Sequence, residues 1–324
     1  MVFIDESRGE EGNPWNAAFY RMFDMTNDSE LFHTRAELEE KGWKLRGNRF
    51  VYESRIMVPL YEAKMIHFYN PRFSTSHDAD ENNILKGICR GSTLKELNDS
   101  TWDPLPRYWI NSEDVEERWK NIGWKEVWTI VFRGVARATD ERTVILSFAP
   151  KAAFGNSSPV IITNRPAQEA ALLVANLSSL PIDYCARNKM SGSNLNFFIL
   201  NQLPVFSPGE YSKWLLDGKP LAEFILKTVT RLTCTSKSLE PLAGAMGNSK
   251  TIHKWDEKER FELMRTLDAI YAHMYGLARE EFAFILDTFP ITRDTEIKTY
   301  GVFRTKQRAL SFFDDLSKRL EKLS

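Results

Sequence analysis

No stretch of the 324-residue sequence stays apolar for about 18 residues, so no membrane-spanning helix is expected. Cysteine is scarce: Cys89, Cys185 and Cys234 stand far apart with no CxxC pair. An odd count at wide spacing argues for reduced thiols and against a disulfide framework. The opening residues, "MVFIDESRGEEGNPW", carry acids where a secretory leader carries bases, so the expected compartment is the cytoplasm. An excess of either charge is also missing, since 43 lysines and arginines face 44 acids for a net charge of −1. Bulk charge therefore gives no support to nucleic-acid binding. A binder of this composition has to gather its bases on one face.

Several catalytic signatures are absent. An amino-methyltransferase that uses S-adenosylmethionine needs an acid or amide before Pro-Pro-aromatic, where the side chain and a backbone carbonyl hold the target amine. Asn13-Pro14-Trp15, Asn70-Pro71-Arg72 and Asp103-Pro104-Leu105 all fail that pattern, and no FxGxG turn follows a strand. There is no GxxxxGK phosphate loop, no HExxH and no GxSxG elbow. His33, His67, His77, His253 and His273 are too scattered to suggest zinc. No cofactor and no metal are expected. One fragment points the other way. In "VPLYEAKMIHFYNPRF" (58–73), Glu62 and Lys64 form the Glu-x-Lys tail of a metal-dependent nuclease site. That chemistry needs a second acid on a preceding strand to hold the ion. Asp5, Asp24 and Asp28 lie in segments not read as that strand, and Glu53 falls at a strand end. Local pairing of Glu62 with Lys64 or a nearby arginine accounts for the same residues.

What is present is an ordinary globular composition, 43% hydrophobic and 27% charged, in a chain long enough for one large domain or two. "HTRAELEEKGW" carries a capping box, Thr34 with Glu37, and stops at Gly42. "WKLRGNRFVY" reads strand, Gly47-Asn48 turn, strand. Residues 61–69 suggest a short helix with Met65, Ile66 and Phe68 inward, Tyr61 is also expected in the core, and Ser112 suggests a cap for "EDVEERWKNIG". Residues 127–135, 143–149 and 159–163 are β-rich. Pro166 sits at the N1 position of a helix whose stripe runs through Ala170, Leu173, Val174 and Leu177. "LNFFILNQLPV" (195–205) reads as a buried strand ending at Pro204. Helical periodicity then takes over, in "KPLAEFILKTVTRLT", in "KWDEKERFELMRTLDAIYAHMYGL", in "AREEFAFILDTFP" and in "VFRTKQRALSFFDDLSKRLEKL". The expected class is α+β: a mixed α/β part over residues 1–205 and a helical part over 206–324, with no internal repeat.

Four blocks, in order, resemble a region downstream of the catalytic domain in large bacterial DNA adenine methyltransferases. These are the type IIG (Eco57I-like) restriction-modification enzymes and related phage-defence methyltransferases. The blocks are "FYRMFDMTNDSELFHTRAELEEKGWKLRGNRFVYESRIMVPLYEAKMIHFYNPRF", "RGVARATDERTVILSFAPKAAFGNSSPVIIT", "LLVANLSSLPIDYCARNKMSGSNLNFFILNQLPV" and "LDAIYAHMYGLAREEFAFILDTFP". The methyltransferase core is not among them, so no catalytic residue carries over. The remainder is similar to a TaqI-type target-recognition domain with its helical spacer. The resemblance implies duplex DNA as one partner and a methyltransferase catalytic domain or subunit as the other, with no membrane. Three polar loops then become candidate DNA contacts. They are "RATDER" (Arg137, Arg142), "KAAFGNSS" (Lys151, Asn156) and "RNKMSGSNLN" (Arg187, Lys189, Ser191, Ser193, Asn194 around Gly192). Arginine to guanine and asparagine to adenine are the favourable bidentate pairs, while lysine, serine and backbone amides set register on phosphates. Two of the loops also have a plain alternative: "RATDER" as an internal ion-pair network, and "RNKMSGSNLN" as a polar turn. Polar residues 74–107 are a further stretch that reaches toward a groove. Lys64 and His67 are expected near DNA if the opening block is more than scaffold, and the helical part is expected to serve as spacer or docking element.

Overall fold

Local chemistry is realised closely in residues 34–61. The computed structural model describes residues 2–80, 82–83, 86–247 and 251–323. Thr34 and Glu37 close the capping box of helix α1 (Arg35–Glu40). Strands β2 (Lys44–Arg46) and β3 (Arg49–Tyr52) flank a turn at Gly47, whose φ of +61° glycine adopts without strain. β3 then turns into β4 (Arg55–Tyr61), whose last five residues are all buried. A run with no polar alternation fits a strand covered on both faces.

β4 is the hub of a five-stranded sheet. β3 and β7 (Trp109–Asn111) pair with it antiparallel, while β10 (Ala153–Phe154) pairs parallel at its end. A second sheet, wholly antiparallel, has the order β1-β11-β8-β9. Its strands are β1 (Ala17–Tyr20), β11 (Val160–Thr163), β8 (Trp128–Phe132) and β9 (Leu146–Pro150). The three β-rich stretches of the sequence are therefore strands of one sheet. Two minor sheets complete the set: β5 (Ser74–Thr75) with β6 (Arg90–Gly91), and β12 (Trp214–Leu216) between β13 (Lys219–Pro220) and β14 (Leu320–Lys322).

The helices are short until the middle of the chain. α2 (Leu94–Asn98) and α3 (Ser112–Asn121) come first, the latter capped by the Asn111 side chain and not, as expected, by Ser112. α4 (Ala167–Ser178) buries ten of its residues, and Pro166 stands at its N-cap, one position before the expected N1. α5 (Leu180–Lys189) follows at once. The anticipated strand over 195–205 is instead a helix, α6 (Phe197–Asn201). Leu200 and Leu203 are buried while Phe198 is 73% exposed, a spacing that suits a helical turn and not a doubly covered strand. Periodicity alone does not separate the two in so short an apolar run. The expected helix over 61–69 shrinks to one 3-10 turn at Ala63–Met65, though Tyr61, Met65 and Phe68 are buried as anticipated. The later helices are α7 (Leu221–Thr233), α8 (Glu240–Ala245), α9 (Glu257–Met274), α10 (Arg279–Asp287), α11 (Pro290–Tyr300) and α12 (Arg304–Leu316). Pro290 starts α11 as well as ending the preceding pattern, and the final amphipathic stretch leaves its helix at Leu316 for strand β14.

The change of character near residue 206 is not a gap in packing. One hydrophobic cluster runs from Phe3 to Leu316, and a satellite of Leu38, Trp43, Phe50, Met57, Leu105 and Trp109 lies under the β2–β3 hairpin. Buried polar groups cross the same line. Asn176, fully buried on α4, donates to the Tyr275 hydroxyl (2.7 Å) and accepts from the Phe206 N–H (3.0 Å). Tyr275 in turn donates to the Pro204 carbonyl (2.7 Å). The fold is α+β, and among the described residues no helix is long and apolar enough to cross a membrane. Replacing Asn176 by Ala strands a buried N–H and a hydroxyl. Unfolding in urea is expected to show a loss of about 1–3 kcal/mol, and an unchanged midpoint would show that these bonds do not fasten the two halves.

Candidate nucleic-acid interface

Gly134, just beyond β8, is where three loops meet. Its N–H donates to the Ser157 carbonyl (2.8 Å), and its carbonyl accepts from the Leu195 N–H (2.8 Å). Val135 and Asn194 form an antiparallel bridge, and the Ala136 N–H donates to the Ser193 carbonyl (3.1 Å). A Cβ on Gly134 would stand 3.0 Å from Pro159 Cδ. The close approach of the 155–159 loop is what keeps this position free of a side chain. Backbone bonds thus join segments 134–137, 155–159 and 193–196.

Six of the nine candidate residues are exposed on these loops: Arg137, Asn156, Lys189, Ser191, Ser193 and Asn194. Arg137 has no ion-pair partner among the described residues. The Lys189 ammonium donates to Gln202 Oε1 (3.2 Å) and the Asn156 amide to Asp24 Oδ2 (2.9 Å). The other three are placed differently. Arg187 is half-buried, donating to the carbonyls of Asp140, Glu141 and Thr288, with its guanidinium over the Phe289 ring at 4.3 Å. Lys151 reaches Glu116 (2.7 Å) from the far end of β9. In the sheet register that end lies beside Trp128, whereas the loop junction follows Phe132. At about 3.4 Å per residue, the length of β8 keeps Lys151 roughly 15 Å from the junction.

Arg142 corrects the expectation most clearly. It is buried, ion-paired with Asp183, donates to the Ser178 carbonyl (2.8 Å), and lies 4.3 Å from the Phe68 ring. Asp183 also accepts from the N–H groups of Thr143 (2.9 Å) and Val144 (3.1 Å). A buried carboxylate needs a counter-charge and full hydrogen bonding, and Arg142 supplies the charge. The "RATDER" segment is organised by partners outside it, Asp183 and Arg187, and not by an internal ion-pair network.

Sequence reasoning missed the apolar members of this surface. Val135 is 56% exposed, Phe198 projects from α6, and the Arg21 guanidinium lies 5.2 Å from the Phe197 ring. The adjacent Phe197-Phe198 pair was the available signal, because a helix turns consecutive residues to different faces.

The Glu62–Lys64 fragment forms its own ion pair (3.1 Å), and the Lys64 ammonium also donates to the Gly87 carbonyl. Among the described residues no group of three or more His, Cys, Asp or Glu is placed to hold a metal. His67 stacks on Phe73 at 4.5 Å and meets Phe68 edge-on at 5.0 Å. It lines a recess of about 210 Å³ that it shares with Arg142, Phe261 and Phe289. Burial first, and then the charges of Arg133, Arg142 and Arg260, push its imidazole pKa down to about 3. Neither a known protein family nor a curated protein matches this sequence.

The folded His67 stays neutral where an unfolded one, with the ordinary value of 6.5, takes up a proton. Its contribution to stability is therefore complete above pH 6.5 and is lost as pH falls toward 3, by about 1.4 kcal/mol per pH unit inside that window. Urea midpoints between pH 7 and pH 5 are expected to fall more steeply for the wild type than for His67→Gln. Parallel slopes would show an imidazole that protonates freely in the fold.

Proposed function

We propose that the chain is a non-catalytic DNA sequence-recognition module of a restriction-modification or phage-defence adenine methyltransferase. It binds duplex DNA and orients it for a separate catalytic domain. The observation that carries this reading is the convergence of three polar loops at Gly134, where exposed Arg137, Ser193 and Asn194 stand on segments tied by backbone hydrogen bonds and exposed Lys189 and Ser191 precede them in the chain. Base reading needs donors and acceptors held at fixed geometry in a groove about 12 Å wide. Arg137 suits guanine and Asn194 suits adenine. Lys189, Ser191 and Ser193 suit phosphate contacts that set register. Lys151 has a smaller part here than its sequence suggests, because Glu116 already holds its ammonium.

A second reading has one observation in its favour. Helix α11 buries none of its residues, and Ile291, Ile297, Tyr300 and nearby Val302 are all exposed. That face supports a chain that docks on a methyltransferase and touches DNA weakly or not at all. The nuclease alternative draws no support from the Glu62–Lys64 pair, whose charges are spent on each other.

Binding to duplex DNA is expected to weaken with salt, with a log–log slope near −0.9 for each phosphate neutralised. Asn194→Ala and Arg137→Ala should each cost roughly 1–3 kcal/mol at one position of the preferred site, whereas Lys189→Ala weakens every sequence alike. Salt-independent binding, or none, together with copurification of a methyltransferase, would favour the docking role instead. Plasmid incubated with magnesium is expected to remain intact. Cleavage that disappears in Glu62→Ala would replace both readings with the nuclease.

A further inference from the structure

We propose that the cleft between the β2–β3 turn and Lys237 is a phosphate-binding site, taking either a nucleic-acid phosphodiester or a free phosphorylated small molecule. Arg46 and Arg49 are direct cross-strand partners at the mouth of this hairpin. Like charges placed opposite each other destabilise a strand pair, so an uncompensated pair of this kind is a cost to the fold. Neither arginine forms a close ion pair among the described residues, although the Asp103 carboxylate acts on Arg49 through space. Two further cations line the same recess of about 360 Å³: Lys151, arriving from the end of β9, and Lys237, from the helical part of the chain. A chain with a net charge of −1 has thus brought four cations to one concavity.

The walls are held in place. The Asn48 carbonyl at the turn accepts from the Trp109 indole N–H (2.8 Å), and Trp109 is buried edge-on to Phe50 at 5.1 Å. Opposite, the Lys237 N–H donates to the Ser100 carbonyl (2.7 Å), and the Ser238 hydroxyl donates to Asp103 (2.8 Å). The Lys151 ammonium lies on Glu116, whose side chain is largely exposed. The one acid lining the recess is Asp103, whose carboxyl accepts from Ser238 and whose pKa burial pushes up. Guanidinium forks match phosphate oxygens in pairs, and ammonium groups supply compact charge. Asp103 offsets part of the charge at Arg49, and an anion between Arg46 and Arg49 relieves their remaining repulsion. This site is distinct from the Gly134 junction and stands whether or not the chain reads DNA sequence.

The full-length chain is titrated with a 20-base-pair duplex and, separately, with thymidine 5′-monophosphate, each at fixed ionic strength. The variant R46Q/R49Q/K237Q is compared with the wild type and with a control of equal charge loss, K258Q/K298Q/K318Q. The triple cleft variant is expected to bind at least one probe about tenfold or more weaker, and the control to bind as the wild type does. Loss confined to the duplex identifies a backbone contact, with its salt slope reduced by about 2–3. Loss confined to the monophosphate identifies a small-molecule site. Removing like charges is expected to leave the thermal midpoint unchanged or raised. Arg46→Gln alone, at the exposed mouth of the turn, gives the same direction of effect if the triple variant proves unstable. Equal binding by cleft variant and wild type, an equal loss in the control, or no binding of either probe by the wild type overturns the proposal. Loss of base preference in Asn194→Ala with an intact cleft effect, or the reverse, separates this site from the recognition loops.

Discussion

The placement of the 137–144 segment depends on one buried carboxylate. Asp183 stands in α5 with no exposure to solvent and receives Arg142 together with the N–H groups of Thr143 and Val144. Taking both charges out of water costs several kcal/mol for each ion, and only near-complete hydrogen bonding offsets it. That demand fixes where the 137–144 segment enters β9, and so where Arg137 stands. The neighbouring Arg187 is held by carbonyls of the same segment, so helix, loop and strand form one unit.

The molecule uses arginine in two ways. Buried guanidiniums serve as internal fasteners: Arg142 on Asp183, Arg265 on Asp268 (2.8 Å), and Arg260 over the Trp255 ring at 3.8 Å with a bond to the Leu232 carbonyl. Exposed ones, Arg46, Arg49 and Arg137, stand without ion-pair partners among the described residues. Composition counts both kinds alike. This is how a nearly neutral chain keeps unspent positive charge at chosen places, since many of its acids already serve as partners in the interior or on the surface.

Much of the architecture was legible because local chemistry and tertiary packing agree. The Thr34 capping box, the Gly47-Asn48 turn, three of the four strands of the second sheet and the long α9 all follow from signals within a few residues. Residues 195–205 misled because a four-residue apolar run has no period of its own, and only the exposure of Phe198 reveals the helix. The site was harder to read. Exposed polar loops could be found by composition, and their meeting at Gly134 could not, since that rests on contacts between residues dozens of positions apart. Arg142 looked like its exposed neighbours until Asp183, 41 positions later, claimed it.

Arg72 carries a consequence for how the chain assembles. Only 1% exposed, it donates to the carbonyls of Leu97, Asp99 and Trp102 and to both oxygens of Thr235. One guanidinium therefore ties the 97–102 turn to Thr235, which lies 163 positions beyond Arg72 itself. Until Thr235, just beyond α7, is in place, one arm of that fork keeps only the Leu97 carbonyl, and a buried cation short of acceptors costs free energy. The sheet-rich half is therefore completed by a residue synthesised long after it. A polypeptide cut at the change of character near residue 206 would retain an unfinished interior, however well its strands pair.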